Sequence, residues 1–147
     1  MSTKKSIATL QQELVEEFSE FDDWQEKYEF IIELGFDLPD FDCAYKNEEH
    51  RILGCQSNVW VHTRYDADNH QMIYTADSES MIVKGLISML VHVLSEQPPE
   101  EILTADLYFL NEIGLDRHLS STRSNGLVSM IQEMKKQAAL HVRESAV

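Results

Sequence analysis

Cys55 is the residue of this sequence best suited to covalent chemistry. It lies in the stretch ILGCQSNVWV, behind Gly54 and ahead of Gln56, Ser57 and Asn58. A free cysteine usually packs as a small apolar side chain, whereas this polar setting is typical of a loop tip or a strand entrance. Glycine at position 54 removes a side chain beside the sulfur and permits backbone conformations that other residues resist. The two interpretations are therefore a reactive thiol and a packed structural cysteine.

The remaining chemistry-bearing residue types form no second motif. Cys43 and Cys55 are the two cysteines of the chain, too few for a disulfide scaffold and not at CxxC spacing, so both are predicted to be reduced thiols. The six histidines, at positions 50, 62, 70, 92, 118 and 141, are scattered and form no HExxH motif. The glycines are isolated and make no phosphate-binding loop. We therefore expect no metal site and no cofactor bound by this chain itself.

A permanent cation is predicted at the start of the last helix. Arg123 follows Ser120, Ser121 and Thr122, which are all good helix-capping residues. A helix start offers free N–H groups and arginine offers a fixed positive charge, and both favour an anion such as a thiolate or persulfide of Cys55. The alternative is that Arg123 pairs with a surface carboxylate.

The net charge of −14 is concentrated in the first fifty residues, which hold fourteen Asp or Glu against four Lys, a balance of −10. Such a chain should repel phosphate backbones, so we expect neither nucleic acid nor an anionic membrane as a partner. The acidic surface could steer association with a basic patch on another protein, or it could serve only solubility. No run of eighteen apolar residues and no leader pattern is found, which predicts a cytoplasmic protein.

Two amphipathic helices should come first in the fold. Apolar residues at helical spacing predict one helix from Ile7 to Phe18. A second helix should begin at Asp22 or Asp23 as N-cap and end near Gly35. An irregular crossing loop should follow, from residue 36 to residue 50.

A β-hairpin and a buried helix are predicted next. Residues 59–65 alternate in period two, the turn DADNH follows, and QMIYTA reads as the partner strand, with a possible third strand just before Gly54. The following helix has an apolar face from Ile82 to Leu94, carries Lys84, and is predicted to be capped by Asp77 or Ser78.

Helices complete the chain. QPPEE should start a short helix, a further short segment should end at Gly114, and the last helix should run from about Thr122 into the 140s, with an apolar face at Leu127, Ile131, Met134 and Ala138. The order of elements predicts an α+β fold, with a small antiparallel sheet of about three strands packed against several helices in a single domain.

Three segments together resemble the SufE family, including its CsdE branch, of sulfur acceptors of cysteine desulfurases. They are GCQSNVW at 54–60, ADSESMIVKGL at 76–86 and LSSTRSNGL at 119–127. Their order and spacing match over roughly residues 20–140. The resemblance implies one SufE/IscU-like domain over residues 1–147, associated with Fe-S metabolism, with residues 1–20 and 141–147 peripheral.

The resemblance also implies a mechanism. Cys55 would accept sulfur as a persulfide from a pyridoxal-phosphate-dependent cysteine desulfurase of the SufS or CsdA type, stimulate that enzyme, and deliver sulfur for iron-sulfur cluster assembly on a scaffold such as a SufBCD-like complex. Pyridoxal phosphate would belong to the partner. Arg123 matches the arginine of the closing motif, although Ser121 replaces a proline often found two positions earlier, and Cys43 has no place in the motif.

Two other functions remain open from the residues. One is a self-sufficient cysteine hydrolase in which Cys55 is paired with His62 or His118, although no orienting Asn or Asp can be identified. The other is a non-catalytic acidic adaptor in which Cys55 is inert. In the resemblance-based interpretation the chain is a sulfur-transfer partner protein rather than a self-sufficient enzyme.

Overall fold

The computed structural model describes residues 4–53 and 58–145. Within these ranges helices surround one antiparallel sheet, which confirms the predicted α+β class. The elements are α1 (Ile7–Phe18), α2 (Trp24–Phe36), a 3₁₀ turn (Cys43–Tyr45), β1 (Val59–Asp66), β2 (Gln71–Ser78), α3 (Met81–Leu94), α4 (Pro99–Thr104), α5 (Phe109–Ile113), α6 (Leu115–His118) and α7 (Ser121–Ser145). No helix in the described ranges is both long enough and apolar enough to cross a bilayer.

The helix starts follow local capping chemistry. Asp23 caps α2, as predicted, by accepting a hydrogen bond from the Glu26 amide at 2.9 Å. The predicted caps of α3, Asp77 and Ser78, are wrong. Both residues still belong to β2, and Ser80 caps α3 instead by accepting from the Val83 amide.

The sheet of the described residues has two strands. β1 and β2 pair from Val59 opposite Ser78 to Asp66 opposite Gln71. The third strand predicted before Gly54 is reduced to a single antiparallel bridge, Arg51 opposite Trp60. This short pairing nevertheless fixes the segment that leads towards Cys55 along the edge of β1.

The core lies between α3, the inner face of the sheet and the flanking helices. In α3, Leu86, Ile87 and Leu90 are fully buried. α1 contributes Leu10, Leu14 and Phe18 to the same core. On α7, the predicted inward face is confirmed, with Leu127, Met134 and Ala138 buried and Ile131 packed at the edge. These contacts position both segments that flank the candidate site.

Candidate functional site

Cys55 and Gly54 lie outside the described residues, but the chain on either side of residues 54–57 is well defined. The Ile52 amide donates to the Val59 carbonyl at 2.8 Å, and the Val61 amide donates to the His50 carbonyl at 3.0 Å. Leu53, the last described residue before Gly54, has 72% of its surface exposed. The two chain segments that bracket residues 54–57 therefore lie side by side as paired backbone.

Asn58, which follows residues 54–57, is hydrogen-bonded to the residues that lead into α3. The Asn58 carbonyl accepts two hydrogen bonds, from the Ser78 hydroxyl at 2.8 Å and from the Glu79 amide at 3.3 Å. The Ser78 hydroxyl also accepts from the Ser80 amide at 3.2 Å. Because Ser80 caps α3, the end of β2 and the first turn of α3 form one anchor for Asn58.

An ion-pair cluster lies at the same end of the hairpin. The Asp77 carboxylate contacts the Lys46 ammonium at 2.9 Å and the Lys84 ammonium at 3.3 Å. Asp77 is paired across the sheet with Trp60, and the Lys46 ammonium lies 5.5 Å from the centroid of the Trp60 ring. The cluster thus joins the loop before β1, the end of β2 and the first turns of α3.

The two lysines of the cluster lie close to two carboxylates, because Glu79 also acts on Lys46 through its charge. Burial raises the pKa of Asp77, but hydrogen bonds from Lys46, the Ser78 amide and Lys84 outweigh it, so the pKa of Asp77 is lowered overall. The hydrogen bond to Asp77 and the charges of Asp77 and Glu79 raise the pKa of Lys46 against an opposing effect of burial. The lowered pKa of Asp77 and the raised pKa of Lys46 both favour the charged forms of this ion pair.

The start of α7 agrees with the sequence prediction. The Ser120 hydroxyl accepts from the Arg123 amide at 3.3 Å, and the Ser124 amide donates to the Ser120 carbonyl at 2.9 Å. Ser121, which replaces the proline often found in the motif, is the first residue of the helix. Serine capping thus starts the helix at this position without proline.

Arg123 lies one helical turn before the buried stripe of α7 and in line with it. Leu127 and Met130, four and seven residues later, are 6% and 2% exposed, and residues at this spacing share one helix face. Arg123 itself is exposed, and within the described ranges its guanidinium makes no hydrogen bond or ion pair. The alternative that Arg123 pairs with a surface carboxylate therefore finds no partner in these ranges.

A cavity of about 610 Å³ separates α7 from the segment that precedes Gly54. Ile52 and Leu53 line one side, and Ser129, Gln132 and Lys136 of α7 line the other. At 1.5 Å rise per residue, Ser129 is about 9 Å along the helix axis from Arg123. The middle of α7 therefore faces the chain segment that precedes Gly54 across this cavity. The structure describes no contact between the two predicted site residues.

The two histidines of the hydrolase alternative stack on aromatic rings. The His62 ring stacks on Tyr45 at 3.8 Å between centroids, and the His118 ring stacks on Trp24 at 4.0 Å. Burial, together with the nearby charges of His50 and Arg64, lowers the pKa of His62 against an opposing effect of the Asp42 carboxylate. Within the described ranges no carboxylate is hydrogen-bonded to either imidazole, so neither has the orienting group of a triad.

Cys43 lies in the 3₁₀ turn and is an exposed free thiol. Its carbonyl accepts from the Lys46 amide at 3.0 Å. Sequence reasoning assigned no function to Lys46 and considered Asp77 only as a cap. Their pairing depends on the register of β1 and β2, which brings Asp77 opposite Trp60, and no sequence spacing signals it.

Residues 12–138 match the SufE family, described as the Fe-S metabolism associated domain. This chain belongs to the SufE family. Membership supports a sulfur-transfer role with cysteine desulfurases, and it confirms the resemblance found in the three sequence segments.

Related proteins show the same relationship over most of the chain. An uncharacterised SufE-like protein of Rhizobium etli is 37% identical over 135 residues, which cover 90% of each chain. A second, from Rhizobium meliloti, is 35% identical over 86% of this chain and 92% of the relative. SufE-like protein 1, chloroplastic/mitochondrial, of Arabidopsis thaliana is 38% identical over 89% of this chain, but that match spans only 35% of the plant protein.

A solved structure shares the fold. The solution structure of a hypothetical protein from Thermus thermophilus matches with a TM-score of 0.74 over 91% of this chain and 96% of that chain. The sequence identity is 18%. The likeness supports the small single-domain α+β architecture.

Proposed function

We propose that this SufE-family protein accepts sulfur on Cys55 from a cysteine desulfurase and carries it as a persulfide. The Cys55 thiolate attacks the terminal sulfur of a persulfide on the desulfurase cysteine. A new S–S bond forms on Cys55, the S–S bond on the desulfurase breaks, and the desulfurase cysteine leaves as a thiolate. The pyridoxal phosphate that generates the donor persulfide belongs to the partner, which we expect to be a SufS- or CsdA-like enzyme.

The observation that best supports this proposal is the construction of the chain around residues 54–57. Ile52 pairs with Val59, and Asn58 is anchored by Ser78 and Glu79. Hydrogen-bonded backbone at both ends of this short segment limits the positions that its nucleophile can reach. This limit lowers the entropic cost of placing the nucleophile in a partner's active site. The exposed side chain of Leu53 shows that the chain reaches the protein surface immediately before Gly54.

Cationic side chains would support the chemistry of this segment. Thiol–disulfide exchange requires a thiolate, and a nearby cation favours it. Lys46 and Lys84 place two ammonium groups beside the anchor of Asn58, where the carboxylates of Asp77 and Glu79 balance them. Arg123, at the start of α7, would supply a further cation for the anionic sulfur of Cys55.

Loading of cysteine variants tests the proposal. The protein is incubated with a cysteine desulfurase and free cysteine, and its intact mass is measured without reductant. Wild type and Cys43→Ser should gain the mass of one sulfur atom, and Cys55→Ser should gain none, because an alcohol cannot form a persulfide. Equal loading of Cys55→Ser and wild type would exclude Cys55 as the carrier, and no loading of wild type would favour the acidic-adaptor alternative.

Downstream, we propose that the protein stimulates desulfurase turnover by accepting sulfur and, once loaded, passes that sulfur to an iron-sulfur scaffold such as a SufBCD-like complex in the cytoplasm. Removal of the persulfide from the desulfurase cysteine frees that residue for the next cycle, so stimulation should depend on Cys55. Desulfurase turnover measured with Cys55→Ser should remain at the level of the desulfurase alone. Full stimulation by this variant would mean that the effect does not require sulfur acceptance.

A further inference from the structure

Two aromatic residues of α2 contact the last residue of α6. The Trp24 indole stacks on the His118 imidazole, with ring centroids 4.0 Å apart and planes inclined by 24°. The Tyr28 hydroxyl donates to the His118 backbone carbonyl at 2.6 Å. Trp24 and Tyr28 are four residues apart and share one face of α2. One face of α2 therefore fixes both the ring and the backbone of His118.

The chain path from His118 to α7 is short. Only Leu119 and Ser120 separate α6 from the first residue of α7. Leu119 packs against the hydrophobic core, and the Ser120 hydroxyl accepts from the Arg123 amide. A displacement of His118 would therefore move the cap of α7, and with it the first turn that carries Arg123.

Gly114 allows α6 to approach the indole. Its φ of 99° lies in the left-handed region that favours glycine. A Cβ at this position would lie 3.1 Å from Cζ2 of Trp24 and 3.6 Å from Cδ2 of His118. A larger residue would crowd the indole at the contact between α2 and α6.

We propose that Trp24 and Tyr28 are positioning residues for sulfur transfer, because they fix His118 and thereby set the position of the first turn of α7, which carries Arg123. This inference rests on the proposed function of Arg123 as a cation for the sulfur of Cys55. Neither aromatic residue contacts the reacting atoms. Both act through the backbone between residues 118 and 123.

A double-mutant cycle separates positioning from a general effect on folding. The rate of Cys55 alkylation is measured against pH in wild type, Tyr28→Phe, Arg123→Ala and the double variant, all in a Cys43→Ser background. Tyr28→Phe removes one surface hydroxyl and leaves the ring in place, so the fold should persist. The matched control is Tyr108→Phe, which removes a hydroxyl that donates to the Ala8 carbonyl at 3.4 Å, away from α6 and α7.

The expected result has three parts. Arg123→Ala should raise the midpoint of the alkylation profile by roughly one pH unit, and Tyr28→Phe should raise it by about half as much. The midpoint of the double variant should match that of Arg123→Ala alone. Once Arg123 is absent, a displaced start of α7 can no longer move its positive charge. Tyr108→Phe should keep the wild-type midpoint.

The contrary outcomes are distinguishable. The positioning role would be overturned if the alkylation midpoint moved in Arg123→Ala but not in Tyr28→Phe. It would also be overturned if the two midpoint shifts added in the double variant. Either result would leave the role of Arg123 intact. An unshifted Arg123→Ala would overturn both, while the loading of Cys55 with sulfur would still test the carrier function separately. As a rescue, Trp24→Phe should retain the wild-type midpoint better than Trp24→Leu, since only phenylalanine can stack on His118.

Discussion

The Ser78 hydroxyl lies 2.8 Å from the Asn58 carbonyl oxygen and donates a hydrogen bond to it. Asn58 is the first described residue after the segment that contains Cys55. The bond therefore connects the end of β2 directly to the base of that segment. Loss of this bond should therefore weaken the base of that segment.

Ser78→Ala should slow sulfur acceptance and lower the free energy of unfolding by about 2 kcal/mol, because the Ser78 hydroxyl makes two hydrogen bonds, to the Asn58 carbonyl and from the Ser80 amide, and one hydrogen bond usually contributes about 1 kcal/mol. Ser88→Ala is the control for loss of a similarly buried hydroxyl, which donates to the Leu34 carbonyl at 2.8 Å in the α2–α3 contact. Ser88→Ala should lose about half as much stability, as measured by urea unfolding. Only Ser78→Ala should load sulfur more slowly, and equal loading rates would show that the Asn58 anchor does not serve the reaction.

Asp77→Asn should destabilise the protein in a pH-dependent way. The lowered pKa of Asp77 means that its stabilising contribution is complete at neutral pH and is lost as pH falls below about 4, through the folded-state pKa. The difference in unfolding free energy from wild type should be about 1 kcal/mol at neutral pH and should shrink in acid. Urea unfolding at several pH values measures it.

The control for this measurement is Asp116→Asn. The Asp116 carboxylate is half-exposed and approaches Arg117 only to 3.9 Å. Such a pair contributes little to stability, so this variant should unfold like wild type at every pH. If the difference in unfolding free energy between wild type and Asp77→Asn stayed constant down to acidic pH, a charged Asp77 in the ion-pair cluster would be contradicted.

Gly85→Ala should destabilise the domain by about 3 kcal/mol, at the upper end of overpacking costs. A Cβ on Gly85 would lie 2.1 Å from the Ile31 carbonyl oxygen, so α2 and α3 would have to separate. Gly35→Ala is a graded comparison, because its Cβ would meet the Gly85 nitrogen only at 3.0 Å. Thermal unfolding should rank wild type above Gly35→Ala and Gly35→Ala above Gly85→Ala, and the reverse order of the two variants would contradict the packing described.

Much of the fold is readable from the sequence because local signals agree with tertiary packing. The apolar spacing of α1, α2, α3 and α7 and the capping position of Asp23 all match the structure. Local signals fail at the start of α3, where Asp77, Ser78 and Ser80 are all good capping residues. The pairing of Ser78 with Val59 extends β2 to that point, and only the tertiary structure decides between the three.

In the candidate site, too, local features are predicted from the sequence and long-range contacts are not. The start of α7, predicted at about Thr122, lies at Ser121, since Ser120 is a local cap for the helix. The Lys46–Asp77–Lys84 cluster and the Trp24–His118 stack join residues from distant parts of the chain, so no spacing in the sequence reveals them. The pairing of residues 50–52 with β1 is too short to give a clear period-two pattern.

The acidic first fifty residues give a prediction about association. If the acids steer docking onto a basic patch of a desulfurase, the association rate should fall as the screening length shrinks from about 30 Å at ~0.01 M salt to about 8 Å at ~0.15 M. Stopped-flow mixing with a desulfurase at several salt concentrations measures this dependence. A rate that does not change with salt would leave the acidic residues a role in solubility alone.

The central claim is that sulfur from a desulfurase is carried on Cys55, and peptide mapping tests it most directly. Trypsin should separate the two cysteines, because cleavage after Lys27, Lys46, Arg51 and Arg64 leaves Cys43 on peptide 28–46 and Cys55 on peptide 52–64. After one round of loading and alkylation before digestion, the added sulfur should be found on peptide 52–64. Added sulfur on peptide 28–46 with none on peptide 52–64 would contradict the claim.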